Sequence, residues 1–255
     1  MSDIHANPAA MKAALADARS CGVGSVICLG DVVGYGPESA EAVELCRKEC
    51  DVVLMGNHDA AVAGEIGTDN FIPFAQNGVN RHRTELSGDQ LEWLRKLPLQ
   101  YATRNFLCVH GTLNRPECFF YMQDMVQVAN SLSIMAERRR RLLFVGHTHH
   151  ACYIVCSREK RKIEAFDAGK GLTLGPKELY IVNVGSVGYP RADHKITYVL
   201  YDSTARTVEF RRLPFDHAEY ARRLEARGVA LPIWLSDYIR THLQGNQNRN
   251  NQEKR

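Results

Sequence analysis

The chain is 255 residues long, 45% hydrophobic and 24% charged, with a formal net charge of +3. That length is enough for one large domain with a real core. The near-neutral charge gives no electrostatic footprint for nucleic acid, and no apolar run approaches the roughly 20 residues of a membrane helix. The opening residues lack a basic region followed by an apolar stretch, so no secretory signal is expected. Eight cysteines without a C-x-x-C pair point to free thiols in a reducing, cytoplasmic setting.

Asn7 followed by Pro8 starts the first predicted helix, which runs to about Ser20 with Met11, Ala14, Leu15 and Ala18 on one stripe. Val26–Leu29 is a short apolar run ending in Gly30-Asp31. Glu38–Cys50 is the second helix, and Val52–Met55 the next apolar run, ending in Gly56-Asn57-His58-Asp59. Ser87 caps a third helix that Pro98 stops. Phe106–Val109 ends in His110-Gly111, a fourth helix spans about Met122–Arg138, and Leu142–Val145 ends in Gly146-His147-Thr148-His149. Such runs, about four residues long, read as strands buried on both faces. Their alternation with helices predicts a sheet with helices packed on it.

Beyond residue 150, Cys152–Cys156, Leu179–Val184, Ile196–Asp202 and Thr207–Arg212 read as strands joined by turns, a second sheet. Arg158–Lys162 reads as a basic hairpin turn. Residues 216–242 are helical with a break near 228–232, and 243–255 form a polar, disordered tail, which leaves a single domain over 1–242.

The polar motifs close predicted strands, where open α/β sheets bind ligands. Asp, His and Asn are suitable ligands for Mn²⁺, Fe²⁺, Zn²⁺ or Ni²⁺. In extended segments the pairs Asp3/His5 and His147/His149 each face one side. The ordered set Asp3-x-His5, Gly30-Asp31, Gly56-Asn57-His58-Asp59, His110-Gly111 and Gly146-His147-Thr148-His149 resembles the calcineurin-like metallophosphoesterase superfamily. The stretches Gly30–Pro37 and Asn183–Arg191 are similar to its small bacterial phosphodiesterase branch.

The resemblance implies a four-layer α/β/β/α sandwich of two mixed sheets. It implies a phosphoesterase, foremost a phosphodiesterase, that uses hydroxide generated at two divalent metals, manganese first and Fe, Zn, Ni or Mg as alternatives. Asp3, His5 and His149 would hold one ion, Asn57, His110 and His147 the other, and Asp31 both. His58 would be the general acid, steadied by Asp59. Two ions against Asp3, Asp31 and a hydroxide leave a charge of about +1, which suits a phosphodiester monoanion.

Arg191 and Arg115 are candidate substrate contacts, and Phe119, Phe120 and Tyr121 a candidate pocket wall. The partner expected is a small phosphodiester or nucleotide-like molecule, with neither membrane nor nucleic acid. A serine/threonine-type phosphatase would carry an arginine soon after the bridging aspartate, where Val32–Gly36 has none. A dinucleoside polyphosphate hydrolase shares the centre, and a non-catalytic scaffold would have lost ligands. Relatives also carry a buried strand before Asp3, and its loss predicts a frayed first metal site.

Overall fold

The computed structural model describes residues 1–157, 159, 162–169, 171–191 and 194–244. The hairpin turn expected at 158–162 falls largely outside them, as does the expected tail from 245 onward.

The elements follow in chain order. Helix α1 (Pro8–Ser20) is capped by Asn7, whose side chain accepts the Ala10 N–H at 3.2 Å. Strand β1 (Ile27–Cys28), α2 (Ser39–Glu49) and β2 (Val52–Val53) come next. Three helices then run in series, α3 (Asn57–Ala63), α4 (Pro73–Glu85) and α5 (Gly88–Arg95), the last opened by a reciprocal cap between Ser87 and Gln90. After them lie β3 (Gln100–Ala102), β4 (Leu107–Val109), α6 (Met125–Glu137), β5 (Leu142–Val145), β6 (Cys152–Ser157) and β7 (Lys162–Asp167). The chain continues through β8 (Gly171–Thr173), β9 (Leu179–Asn183), β10 (Lys195–Asp202), β11 (Thr207–Pro214), α7 (His217–Ala226) and α8 (Ile233–Tyr238).

The main sheet has the order β3-β4-β5-β9-β6-β7, with β4, β5 and β9 parallel and the outer strands antiparallel. Its central strands show why the motif-ending runs are wholly apolar. Leu143 and Val145 of β5, with Leu179 and Ile181 of β9, face Val128, Leu132 and Met135 of α6. Leu142 and Phe144, with Tyr180 and Val182, face the other way, against Leu29, Leu54, Val208 and Phe210 of the second layer. Both faces are buried, so both alternating sets must be apolar. On the far side of the second layer, α1 is tied down by Asp17, which accepts from the Tyr198 hydroxyl at 2.6 Å and from Arg211 at 2.8 Å.

The sandwich is thus as expected, but its strands are distributed differently. β6 and β9, expected in the second sheet with β10 and β11, join the main sheet instead, with β7, not expected as a strand, beside β6. The second layer comes in two pieces, β1-β2 and β10-β11-β8.

Those two pieces flank the start of the chain. Met1–His5 is not frayed. The Leu29 N–H donates to the Met1 carbonyl at 2.9 Å, the Asp3 N–H to Gly30 at 3.0 Å and the His5 N–H to Asp31 at 2.9 Å. On the opposite side Val187 and Gly188 donate to the Ser2 and Asp3 carbonyls at 3.0 and 2.9 Å. These residues are held from both sides by backbone hydrogen bonds, although Asp3 and His5 have left-handed backbone conformations, and Ser2, Asp3 and His5 are fully buried. Behind Met1 lies a cavity of about 780 Å³ lined by Ile27, Leu29, Phe106, Phe144, Val199 and Tyr201. It separates the free edge of β1 from that of β10.

The described residues fall into two compact units that divide after Leu213. In the second unit Asp216 caps α7 by accepting the Glu219 N–H at 2.9 Å, and Phe215, His217, Tyr220 and Trp234 are in ring contact. No described helix is long and apolar enough to cross a membrane.

The cavity behind Met1 generates a test. Extending the chain by about six apolar residues ahead of Met1 should fill it as a strand between β1 and β10. Each apolar side chain buried there contributes about 1.5–3 kcal/mol before ordering costs. A rise in melting temperature of roughly 5 °C or more is expected by calorimetry. An unchanged melting temperature would show that the cavity does not accept a strand.

Candidate metal centre

Asp31 follows β1 in a left-handed turn, φ 53°. Its Oδ1 accepts the His58 N–H at 2.9 Å, and its Oδ2 lies 3.6 Å from His5 Nε2 and 3.4 Å from His110 Nε2. A side chain at Gly56 would collide with this carboxylate, which explains the glycine ahead of Asn57.

On one side of Asp31 stand Asp3, His5 and His149. The His5 Nδ1 lies 3.1 Å from the Val33 carbonyl, and the His149 Nδ1 lies 2.7 Å from the Tyr189 carbonyl. A carbonyl only accepts, so both Nδ1 atoms carry the proton and both Nε2 atoms present bare lone pairs. Those two Nε2 atoms are 3.1 Å apart. Asp3 Oδ1, buried and without a hydrogen-bond partner, lies 3.3 Å from the His149 Nε2. Converging lone pairs and an orphaned carboxylate oxygen make sense around a cation and are repulsive without one. The donor set therefore suits a divalent cation.

On the other side stand His110 and His147. His110 Nδ1 donates to the Leu29 carbonyl at 2.9 Å, and its Nε2 lies 3.2 Å from His147 Nδ1. The ligand atoms of Asp31, His110 and His147 lie within 4.8 Å of one another, as do those of Asp3, His5 and His149. Asn57 opens α3 between Gly56 and His58, and its Oδ1 is buried without a partner.

Electrostatics agree with a cation site. Burial pushes His147 down to about 3 and holds His5 and His149 well below the usual imidazole range, so all three are neutral. Burial, reinforced by the nearby Asp31 charge, raises Asp3 to about 6. Burial alone would lower His110 too, but the Asp31 carboxylate outweighs it and lifts His110 to about 9. In the protein alone a proton partly occupies the place of positive charge.

His58 lies beside the centre, its ring packed on Tyr35, His5 and Phe71 with centroids at 4.5, 4.9 and 5.0 Å. A side chain at Gly34, φ 91°, would occupy the space of the His58 Nδ1. That nitrogen has no hydrogen-bond partner, and burial lowers the imidazole to about 4. The steadying role read for Asp59 is therefore corrected. Its two oxygens accept the Gly56 N–H at 2.9 Å and the Val33 N–H at 3.1 Å, so it caps α3 and anchors the loop after Asp31.

Asn57, His58 and His147 line a pocket of about 720 Å³, with Arg191 and the Phe119–Tyr121 segment also in its wall. Arg191 donates to the Tyr35 hydroxyl at 3.1 Å and lies over the Tyr35 and Tyr189 rings. Arg115 is not brought in. It is exposed, outside the pocket lining, and paired with Glu117 at 3.6 Å. His150 is also outside, paired with Asp167 at 3.0 Å. His82 matches none of the ligand motifs and is left by sequence as structural or surface; the structure gives it a structural place. It is fully buried, and its Nδ1 accepts the Gly34 N–H at 3.0 Å while its Nε2 lies 3.0 Å from the Gly36 carbonyl, which pins the loop bearing Tyr35.

The calcineurin-like phosphoesterase superfamily domain matches residues 1–206. The chain belongs to that superfamily. Among its relatives, an uncharacterized protein of Methanocaldococcus jannaschii is 30% identical over 94% of this chain and 95% of its own length. A metallophosphoesterase from Sphaerobacter thermophilus superposes with a TM-score of 0.77 at 31% identity, covering 92% of this chain and 94% of that one. A hypothetical protein from Pyrococcus horikoshii shares the fold, with a TM-score of 0.70 at 19% identity over 94% of this chain and 95% of its own. This superfamily member is a hydrolase of phosphoric ester bonds, and its candidate metal ligands are the His and Asp groups described above.

Because His110 is raised to about 9, a metal ion must displace a proton to bind near neutral pH. Titrating Mn²⁺ into chelator-treated protein at pH 7.5, in two buffers of different ionisation enthalpy, should reveal release of about one proton. Affinity should rise with pH and level off near 9. A binding enthalpy independent of buffer would contradict the cation placement at His110.

Proposed function

We propose that this superfamily member is a phosphodiesterase that works with two divalent ions, manganese foremost, on a small diester, and that it is cytoplasmic. The observation that supports the reading is one carboxylate, Asp31, whose Oδ2 lies 3.6 Å from His5 of one ligand cluster and 3.4 Å from His110 of the other, beside a pocket lined by Asn57, His58, His147 and Arg191. Asp3, His5 and His149 would hold one ion and Asn57, His110 and His147 the other, with Asp31 serving both. When bound, the ions supply a nucleophile from water at neutral pH and offset the charge of the phosphate.

The remaining work belongs to the chain's own residues. Arg191, held by the Tyr35 hydroxyl and the Tyr189 ring, offers the guanidinium that orients a phosphate oxygen. His58 gives the leaving alkoxide its proton. Burial keeps the imidazole neutral in the protein alone, and an adjacent phosphate anion favours its charged form. The eight cysteines, all unpaired, support a reducing compartment. A serine/threonine-type phosphatase reading lacks its arginine, since the stretch after Asp31 carries Tyr35 and glycines.

His58→Ala should lower kcat on bis(p-nitrophenyl) phosphate by about 10²–10⁴-fold while manganese content stays at the wild-type level. Loss of metal with the rate retained would remove His58 from its role. A p-nitrophenyl monoester turned over faster than the diester would overturn the diester preference.

A further inference from the structure

Large hydrophobic side chains left exposed are not scattered evenly over the described surface. Six are exposed, Ile72, Tyr121, Met125, Val126, Phe166 and Ile233, and two of these stand in the wall of the metal pocket. Ile72 and Tyr121 line it directly. Met125 and Val126 begin α6 immediately after Asp124, which also lines it. Exposed apolar groups gathered around one opening mark a binding surface.

The aromatic rings there are held in place. Tyr121 stacks on His147 with centroids 4.0 Å apart and planes 15° apart, yet remains 49% exposed. One face is covered by the metal-site histidine and the other is open. Phe71 leans on His58 at 5.0 Å, so a second ring flanks the proton-donating side. The charge of the outer pocket is equally specific. Its described lining includes the carboxylates Asp69 and Asp124, and Glu117, which is paired with the exposed Arg115, against one lining cation, Arg191. Only the inner part, at the metal ligands, is suited to phosphate. A second or third phosphate extending outward would meet carboxylates, and like charges brought together are repelled.

We propose, on the basis of the phosphodiesterase reading, that Tyr121, Phe71 and Ile72 form a subsite for a flat ring. The substrate is then a single-phosphate diester with an aryl or nucleoside group, not a polyphosphate. The ring lies against the open face of Tyr121, and the outer carboxylates accept hydrogen bonds from a base or ribose.

Binding separates this proposal from the reading beneath it. Phenylphosphonate and methylphosphonate share one anionic group and cannot be hydrolysed, so their affinities for the manganese-loaded protein differ only through the ring. Calorimetry should give a dissociation constant about tenfold or more lower for phenylphosphonate. Tyr121→Ala and, on an independent segment, Ile72→Ser should each reduce that ratio by several-fold. Equal affinities in the wild type, or a ratio untouched by both variants, would overturn the ring subsite. Failure of both phosphonates to bind would overturn the phosphodiesterase reading itself. Turnover of thymidine 5′-p-nitrophenyl phosphate should exceed that of diadenosine tetraphosphate by tenfold or more, and the reverse order would refute the exclusion of polyphosphates.

Discussion

The Asp31 carboxylate is buried, with one oxygen fixed by the His58 amide and the other facing two histidines. Burying such a charge is costly unless opposite charge is brought to it. Much of the structure around it concentrates further lone pairs where that charge must sit. His5, His110 and His149 each commit one ring nitrogen to a backbone carbonyl, which aims the other inward. The carbonyls belong to Val33, Leu29 and Tyr189, in segments fixed by the sheets and by the loop after β9, so the ligand directions are set by backbone rather than by flexible side chains.

The same convergence explains where the backbone is strained. Asp3, His5, Asp31, His147 and His149 all have positive φ. A non-glycine residue held there costs of order 1–3 kcal/mol. The surroundings enforce it. Asp3 and His5 are locked by hydrogen bonds to Gly30 and Asp31, and the His147 N–H lies 3.2 Å from Asp3 Oδ2. The strands beneath supply the anchorage, because β5 and β9 are apolar on both faces and cannot shift without exposing a core. A strained rim on a rigid sheet keeps ligands poised, and the outer pocket is left to choose the substrate.

The candidate ligands Asp31, Asn57, His110 and His147 were legible because each follows a short apolar strand, and a strand's end fixes where the next residues point. Helix α5 was legible from its cap, Ser87 with Gln90. Helix α4 was not, because Gln76, Asn77, Asn80 and Arg81 dilute its apolar stripe to Ala75, Gly78, Val79 and His82. His82 was legible only as structural or surface, because its contacts with Gly34 and Gly36 lie some 46–48 positions away in sequence. Asp59 was misread because a carboxylate beside a histidine in sequence suggests a pair, whereas on a helix neighbouring residues face apart. Sheet membership of β6 and β9 was hidden for a related reason. Pattern gives a strand's faces and not its neighbours. Met1–His5 held firm against expectation because hydrogen bonds reach it from both β1 and the loop after β9.

In the proposed centre one carboxylate, Asp31, serves two cation sites. Metal content by mass spectrometry, measured on the wild type and on Asp31→Asn after equilibration with limiting Mn²⁺, tests it most directly. The wild type should retain two ions per chain, and the amide variant should lose both together, because a neutral group no longer offsets their mutual repulsion. A variant that still holds two ions tightly, or loses only one while the other binds as before, would contradict the shared carboxylate.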